Sequence, residues 1–339
     1  MTMYVRFSLF LLTLFTFCSS DKPFKTTEQT ELLMDTVVRI SVYHESDRDE
    51  ADIRSAIIEA FRPIREIDSL ANSYSDSSAV ALINEHADDG PVHIDGTLCD
   101  IFEQSLRIST LSDGAFDISV LPLLDLWNFA ADAPAVPGST AIREALDLVD
   151  YRKIALTESW VEFEKEGMRV DLGGIAKGYA ADLAMDILQQ RGFRDAMVNA
   201  GGDFKAVSGE LTRGKRKVWI RHPRQREAFY GYFMMDNGSV ATSGDYERYF
   251  LEDSVKYHHI LDPSTGYPVR GCVSVTVRAD DVVDADALAT AVFVLGPEKG
   301  IALLNSLDGA DGLVIYEKNG ELTHIVSDGM KDILQIQHF

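Results

Sequence analysis

In the segment Asp284-Ala285-Asp286-Ala287-Leu288-Ala289-Thr290-Ala291, a carboxylate and a hydroxyl stand four residues apart. On a helix Asp286 and Thr290 share one face, one turn apart, so their oxygens converge on a single point. That set suits a hard cation. Magnesium takes oxygen ligands, draws one or two from protein side chains and fills the rest of its shell with water and substrate phosphate. The alanines leave room for a bulky ligand beside the face. The plainer reading of the same residues is a helix start whose aspartates cap the backbone and complement the helix dipole.

A second segment, Val170-Asp171-Leu172-Gly173-Gly174-Ile175-Ala176-Lys177-Gly178-Tyr179, reads as a strand, a tight glycine turn and a helix. Glycines let the backbone approach a ligand, and a helix N-terminus with Lys177 beside it attracts phosphate. It is not a Walker loop, because no Ser or Thr follows the lysine, and no GxGxxG is present. In a third segment, Tyr257-His258-His259-Ile260-Leu261-Asp262-Pro263-Ser264-Thr265-Gly266, two histidines precede a turn. Neighbours on a strand face opposite sides, so at most one histidine faces a site, and His259, leading into the turn, is the candidate proton acceptor. Asn199-Ala200-Gly201-Gly202-Asp203 ends another strand in a glycine turn. Gly114-Ala115-Phe116-Asp117 precedes Leu126-Trp127-Asn128-Phe129, whose rings would either stack on a flat ligand or fill the core. The locally basic stretch from Arg213 to Arg226 reads as a solvated hairpin rather than a phosphate patch.

The elements that must hold these residues follow from periodicity. Val38, Ile40 and Val42 alternate with polar residues as in a half-buried strand, and helical spacing runs from there to about Leu70, with Pro63 inside it. A helix is predicted over Leu98 to Leu111, stopped by Gly114, then a surface loop over Asp132 to Thr140. Strands are predicted near Trp160 to Phe163, Arg169 to Asp171 and Met197, and a helix from Ile175 to Gln190. Further strands are read at Val218 to Arg221, Tyr230 to Met234, Ser239 to Thr242 and Val273 to Val277. A last helix, from Ala285 to Leu295, stops at Gly296-Pro297. The fold class is therefore α+β.

The 339 residues carry a formal charge of −22, which excludes non-specific nucleic-acid binding. An anionic nucleotide ligand would need local counter-charge, from a divalent cation or well-placed Lys and Arg. Arg6 and the apolar run Phe7 to Phe17 read as a signal peptide, residues 1–17, too short to span a bilayer as a lasting helix. Cys18, followed by Ser19-Ser20-Asp21, is the expected lipid anchor. Residues 18–30 are expected to be a flexible tether and 31–339 the functional domain. The expected location is outside the cytoplasm, on the periplasmic side of the inner membrane. Cys99 and Cys272 show no spacing that implies a disulfide or a zinc site.

Taken together, these segments resemble the ApbE-like family, the FAD:protein FMN transferases. The likeness runs through Met34-Asp35-Thr36, Tyr74, GAFD, LWNF, VDLGGIAKGYAAD, NAGGD, ATSGDYERYF, HHILDPSTGYP and DADALATA. The family's first motif has Gly after Met, where this chain has Asp35. The resemblance implies a two-lobed, T-fold-like arrangement of mixed or antiparallel sheets with packed helices. It implies a FAD site at Met34, Tyr74, Ala115, Phe116, Asp117, Asp171, Lys177 and Leu261. It implies Mg²⁺ at Gly174 (through its carbonyl), Asp286, Ala289 (backbone only) and Thr290. The implied reaction cleaves FAD, releases AMP and joins FMN to a Thr or Ser of a partner, the flavin-acceptor subunit of a membrane redox complex. Asp286 and His259 are the candidate catalytic residues, His259 as base or hydroxyl-orienting group. FAD pyrophosphatase activity giving FMN and AMP, and a non-catalytic flavin-binding lipoprotein, are the alternatives.

Overall fold

A computed structural model describes residues 24–212, 214 and 216–337. The apolar leader, Cys18 and tether residues 18–23 lie outside the described residues. Eight strands form one sheet in the order Phe24–Leu33, Thr36–Glu45, Ala196–Ala200, Asp203–Val207, Gly238–Gly244, Cys272–Ala279, Asp311–Lys318, Glu321–Val326. Every neighbouring pair is antiparallel. The period-two alternation of strand side chains divides this sheet into two buried faces. Val38, Ile40, Val42, Val198, Ala241, Val275, Val277 and Val314 join the larger core. Met197, Phe204, Val240, Leu313 and Ile315 join a second core on the other side. Burial on both faces explains why Ala196–Ala200 reads as an unbroken buried run.

Helices Glu50–Ala71, Ala176–Gln190 and Val282–Leu295 cover the first face. The last of them is apolar almost all round, the pattern of a helix enclosed by others. The other face is covered by a small sheet in which Arg216–Arg221 pairs with Phe229–Met235 and that strand with Gln335–Ile336. A third cluster surrounds Trp127, whose indole N–H donates to Gly266 O at 2.8 Å. It joins helices Leu121–Trp127 and Ser139–Leu146 to the hairpin of Tyr249–Glu252 with Val255–His258. The architecture is α+β with antiparallel sheets. Among the described residues no helix is long and apolar enough to cross a membrane. Cys99 and Cys272 are buried free thiols.

Several expectations change. Residues 24–30 are not tether but part of the edge strand Phe24–Leu33, in full register with Thr36–Glu45; Lys25, Thr26, Glu28 and Thr30 face solvent, as on a half-exposed edge. Arg169–Asp171 is extended but unpaired. Its backbone is satisfied by Asn84, whose amide donates to Val170 O and accepts from Val170 N–H, and by Ile118 O, which accepts from Asp171 N–H. The predicted loop ends sooner, because Ser139 begins a helix. Gly296-Pro297 ends one helix and starts another, Pro297–Asn305, with proline in its first turn. In the basic hairpin Arg216 is 2% exposed rather than solvated.

Candidate functional site

The first turn of a helix leaves N–H groups without partners inside the helix. Helix Ala176–Gln190 begins straight after the Gly173-Gly174 bend with no side-chain cap of its own. Its missing partner comes from the facing helix. Asp286 Oδ2 accepts from Gly178 N–H at 3.2 Å and from the Lys177 ammonium at 3.4 Å. Gly178 is what lets the two helices come this close: a Cβ there would stand 2.5 Å from the Val282 carbonyl oxygen. Lys177 also donates to Gly173 O at 3.1 Å and lies 3.8 Å from the Asp203 carboxylate.

This trio sits where water is scarce. Burial pushes the Asp286 carboxyl above the usual range, opposed by Lys177. Burial and the neighbouring Asp286 charge push Asp203 up to about 7. Burial works against the Lys177 charge, but Asp286 and Asp203 outweigh it and hold the lysine above its ordinary value. Two carboxylates around one ammonium leave surplus negative potential.

One turn beyond Asp286, Thr290 Oγ1 lies 3.3 Å from Ser243 Oγ. Gly174 is beside it: a Cβ on Gly174 would be 3.9 Å from Thr290 Oγ1 and 3.1 Å from the Phe116 ring. The glycine bend and the distant helix are thus brought together. Ala289 is buried with its methyl in the core, so it offers backbone alone. Among the described residues no three His, Cys, Asp or Glu side chains gather as a metal cluster. A carboxylate, a hydroxyl and an accessible backbone are instead the oxygen donors that magnesium takes, with water and phosphate completing the shell.

On the other side of the bend, Asp171 accepts from Ser73 Oγ–H at 2.8 Å and Gly173 N–H at 2.9 Å. Tyr74, 67% exposed, stands over a cavity of about 420 Å³ lined by Ser73, Asn84, Leu121, Asp125 and Arg169. An exposed aromatic ring can stack on a planar ligand. Partial loss of water around the hydroxyl, then the Asp171 charge, raises the Tyr74 phenol to about 12, so it stays neutral although most of the side chain is exposed. Phe116 is buried against Gly174, with Ala115 half-buried before it. Asp117 spends its carboxylate inside the protein, accepting from Ser119 N–H, Ser119 Oγ–H and Tyr151 N–H at 2.6–2.9 Å, which leaves it only backbone to offer a ligand. A smaller cavity joins Gly114 and Asp117 to Pro263 and Ser264 of the histidine turn.

Met34 and Asp35 form a two-residue hairpin turn with φ of 53° and 56°, a conformation few non-glycine residues adopt and one that clusters at functional sites. Asp35 lies 3.9 Å from Arg248, whose carbonyl accepts from His259 N–H at 3.0 Å. His259 Nδ1 is 3.3 Å from the same carbonyl and so carries the proton, which leaves Nε2 as the acceptor. Burial, then Arg248 and His258, lowers this imidazole to about 3, so it is neutral at pH 7. His258 is the structural member of the pair, buried with Nε2–H donating to Val269 O at 2.8 Å. Leu261 packs its side chain into the Trp127 cluster and bridges Pro268.

Sequence reasoning assigned no role to Asp203, Ser73 or Ser243. Asp203 closes the Asn199–Asp203 glycine turn, and the acid after two glycines was the available signal. Ser73 and Asp171 are 98 positions apart, and no local pattern links them.

An antiparallel α+β fold thus presents an acidic, lysine-bearing bend bonded through Asp171 to Ser73, which lines the larger cavity. The particular family follows from comparison: the ApbE family matches residues 34–314, and this chain belongs to it. It is 36% identical over 318 residues to the FAD:protein FMN transferase of Treponema pallidum (strain Nichols), covering 88% of this chain and 87% of that one. It is 35% identical over 258 residues to a FAD:protein FMN transferase of Klebsiella pneumoniae (strain 342), covering 75% of this chain and 80% of that one. Among solved structures, the ApbE protein from Thermotoga maritima superposes with a TM-score of 0.81 at 34% identity, covering 91% of this chain and 99% of that one. The flavin transferase ApbE from Vibrio cholerae gives 0.82 at 25% identity, covering 92% and 100%.

Proposed function

We propose that this chain is a magnesium-dependent FAD:protein FMN transferase. The observation that carries the reading is the meeting of Gly174 and Lys177, at the start of one helix, with Thr290 and Asp286 on the helix that faces it. Asp286, Thr290 and the Gly174 backbone would hold the cation, with Ala289 contributing backbone at most. Bound there, magnesium supplies Lewis-acid neutralisation of charge on the pyrophosphate.

The remaining work falls to the chain's own residues. Tyr74 stacks on a flat ring and fixes one end of FAD, with Phe116, Asp171 and the Met34 turn shaping that side. Lys177 supplies a positive charge to a diphosphate that the overall −22 would otherwise repel. Transfer then joins the acceptor's Thr or Ser oxygen to the FMN-side phosphorus and breaks the bond from that phosphorus to the bridging oxygen, which leaves with AMP. Positioning and charge stabilisation account for most of such a step. The hydroxyl proton passes to His259 Nε2, whose basicity rises when an anionic diphosphate lies beside it.

The acceptor would be a flavin-carrying subunit of a membrane redox complex. An exported chain anchored through Cys18 would meet it on the periplasmic side of the inner membrane. Incubation of the purified chain with FAD, Mg²⁺ and a threonine-bearing acceptor protein tests the reading. Fluorescent flavin fixed to the acceptor, with one AMP released per flavin, supports it. Free FMN and AMP with an unlabelled acceptor would show a pyrophosphatase instead, and intact FAD a flavin-binding protein without turnover.

A further inference from the structure

The Val170–Asp182 motif ends in an acid that the proposed chemistry does not use. Asp182 lies on helix Ala176–Gln190, four residues after Gly178, and is largely buried. Its Oδ2 accepts from Val283 N–H at 2.9 Å, in the first turn of helix Val282–Leu295. That helix, too, has no side-chain cap of its own. Asp286 returns the arrangement by accepting from Gly178 N–H at 3.2 Å. Each helix therefore lends a carboxylate from within its first two turns to an uncapped N–H of the other.

The strand Asp203–Val207 closes the group from below. Lys205 donates to Asp182 Oδ1 at 2.9 Å and to Asp281 at 2.5 Å. Two residues earlier on the same strand face, Asp203 pairs with Lys177 at 3.8 Å. Gly178 has no room for a Cβ against Val282, so the helix starts are in direct backbone contact and their relative height is set by these two bonds.

We infer that Asp182 is a positioning residue: by capping Val283 it fixes the register of helix Val282–Leu295, and with it the distance of Asp286 and Thr290 from the Gly174 bend. This rests on the reading that Asp286 and Thr290 take the cation. The two bonds form a reciprocal clamp, so loosening one end loosens the other. A cation held by oxygens from both helices is gripped only while the clamp is shut, because magnesium tolerates little departure from its preferred geometry.

The test uses the full chain with Asp182→Ala and Asp182→Asn, read by amide hydrogen exchange without metal and by calorimetric titration with Mg²⁺ alone. Asp182→Ala is expected to speed exchange at Val283 and, across the interface, at Gly178 by about tenfold. It should weaken Mg²⁺ binding by about tenfold. Asp182→Asn keeps an oxygen for Val283 N–H and should recover both to within about threefold. Asp286→Ala should in turn speed exchange at Val283. If Asp182→Ala does not fold, Lys205→Met loosens Asp182 without removing it and should give the same changes at about threefold. A lower melting temperature with unchanged Gly178 exchange and unchanged Mg²⁺ affinity would make Asp182 a stability residue only and overturn the inference. A parent chain that takes up no Mg²⁺, with Gly178 and Val283 still coupled in exchange, would overturn the cation reading and leave the clamp standing.

Discussion

Two buried cations sit in this molecule under different rules. Arg216 is 2% exposed, and its guanidinium is met by neutral oxygens: Val207 O at 3.0 Å, Asp236 O at 3.3 Å, Thr212 Oγ1 at 3.3 Å and Ser208 Oγ, with the Tyr43 ring 5.5 Å away. Burial lowers its affinity for the proton, against the opposing pull of Tyr43, Asp195 and Asp236. Lys177 is met by two carboxylates, Asp286 and Asp203, and its proton is held more tightly than usual. The first arrangement ties a strand end to the neighbouring loops through the two terminal nitrogens, with Nε buried and without a hydrogen-bond partner. The second leaves a net negative charge, which a divalent cation would offset. The two buried charges differ in whether their partners leave an excess of negative charge.

The comparison is broken or sharpened by changing each side. The largest effect is expected from Asp286→Ala, which removes the central carboxylate: Mg²⁺-dependent turnover should fall on the order of 10³-fold with an unchanged far-ultraviolet dichroism spectrum. Unchanged turnover would place the metal elsewhere. Lys177→Ala should weaken FAD binding by roughly ten- to a hundredfold, more than it weakens Mg²⁺ binding, by flavin fluorescence titration. Equal FAD affinity in parent and variant would rule out the pocket. Arg216→Met should lower stability by about 1–3 kcal/mol through the carbonyls and hydroxyls it strands, with turnover per folded molecule unchanged in a denaturant-monitored assay. A loss of turnover there would erase the distinction between the two cations.

The smallest effect is the pH dependence of the acidic pair. Asp203 is raised from 3.8 to about 7, so without metal the stability that comes from its protonated form is complete below 3.8 and is lost as pH rises through about 7. A cation on Asp286 would cancel the neighbouring charge that helps to raise Asp203, and so favour release of that proton. The rise in melting temperature given by Mg²⁺ should therefore be larger at pH 8 than at pH 6, by a few degrees. Equal rises at both values would separate Asp203 from the cation site.

Much of the frame was legible because its signals are local. The helix predicted over residues 175–190 is found at Ala176–Gln190, and the one predicted from Ala285 to Leu295 is found at Val282–Leu295. Helical period, the glycine bend and the stop at Gly296-Pro297 all act over a few residues. The Asp286–Thr290 face followed from the same period. The rest is tertiary. Phe24–Thr30 is polar enough to resemble a tether, and only its pairing with Thr36–Glu45 makes it a strand. Val170 looked like strand because an extended backbone bonded to the Asn84 side chain has the same residue preferences as one bonded to a neighbour. Arg216 carries no sequence mark of burial, since its acceptors come from three separate loops and strands. The reciprocal capping of the two helices needs contacts across about a hundred residues, 101 for Asp182 with Val283 and 108 for Asp286 with Gly178.

The measurement that bears most directly on the cation site is anomalous diffraction from crystals of the full chain soaked with FAD and Mn²⁺ in place of Mg²⁺. The account predicts a manganese peak about 2 Å from an Asp286 carboxylate oxygen, Thr290 Oγ1 and the Gly174 carbonyl oxygen, and in contact with the diphosphate. A peak remote from Asp286, or a diphosphate bound with no metal between it and Thr290, would contradict it.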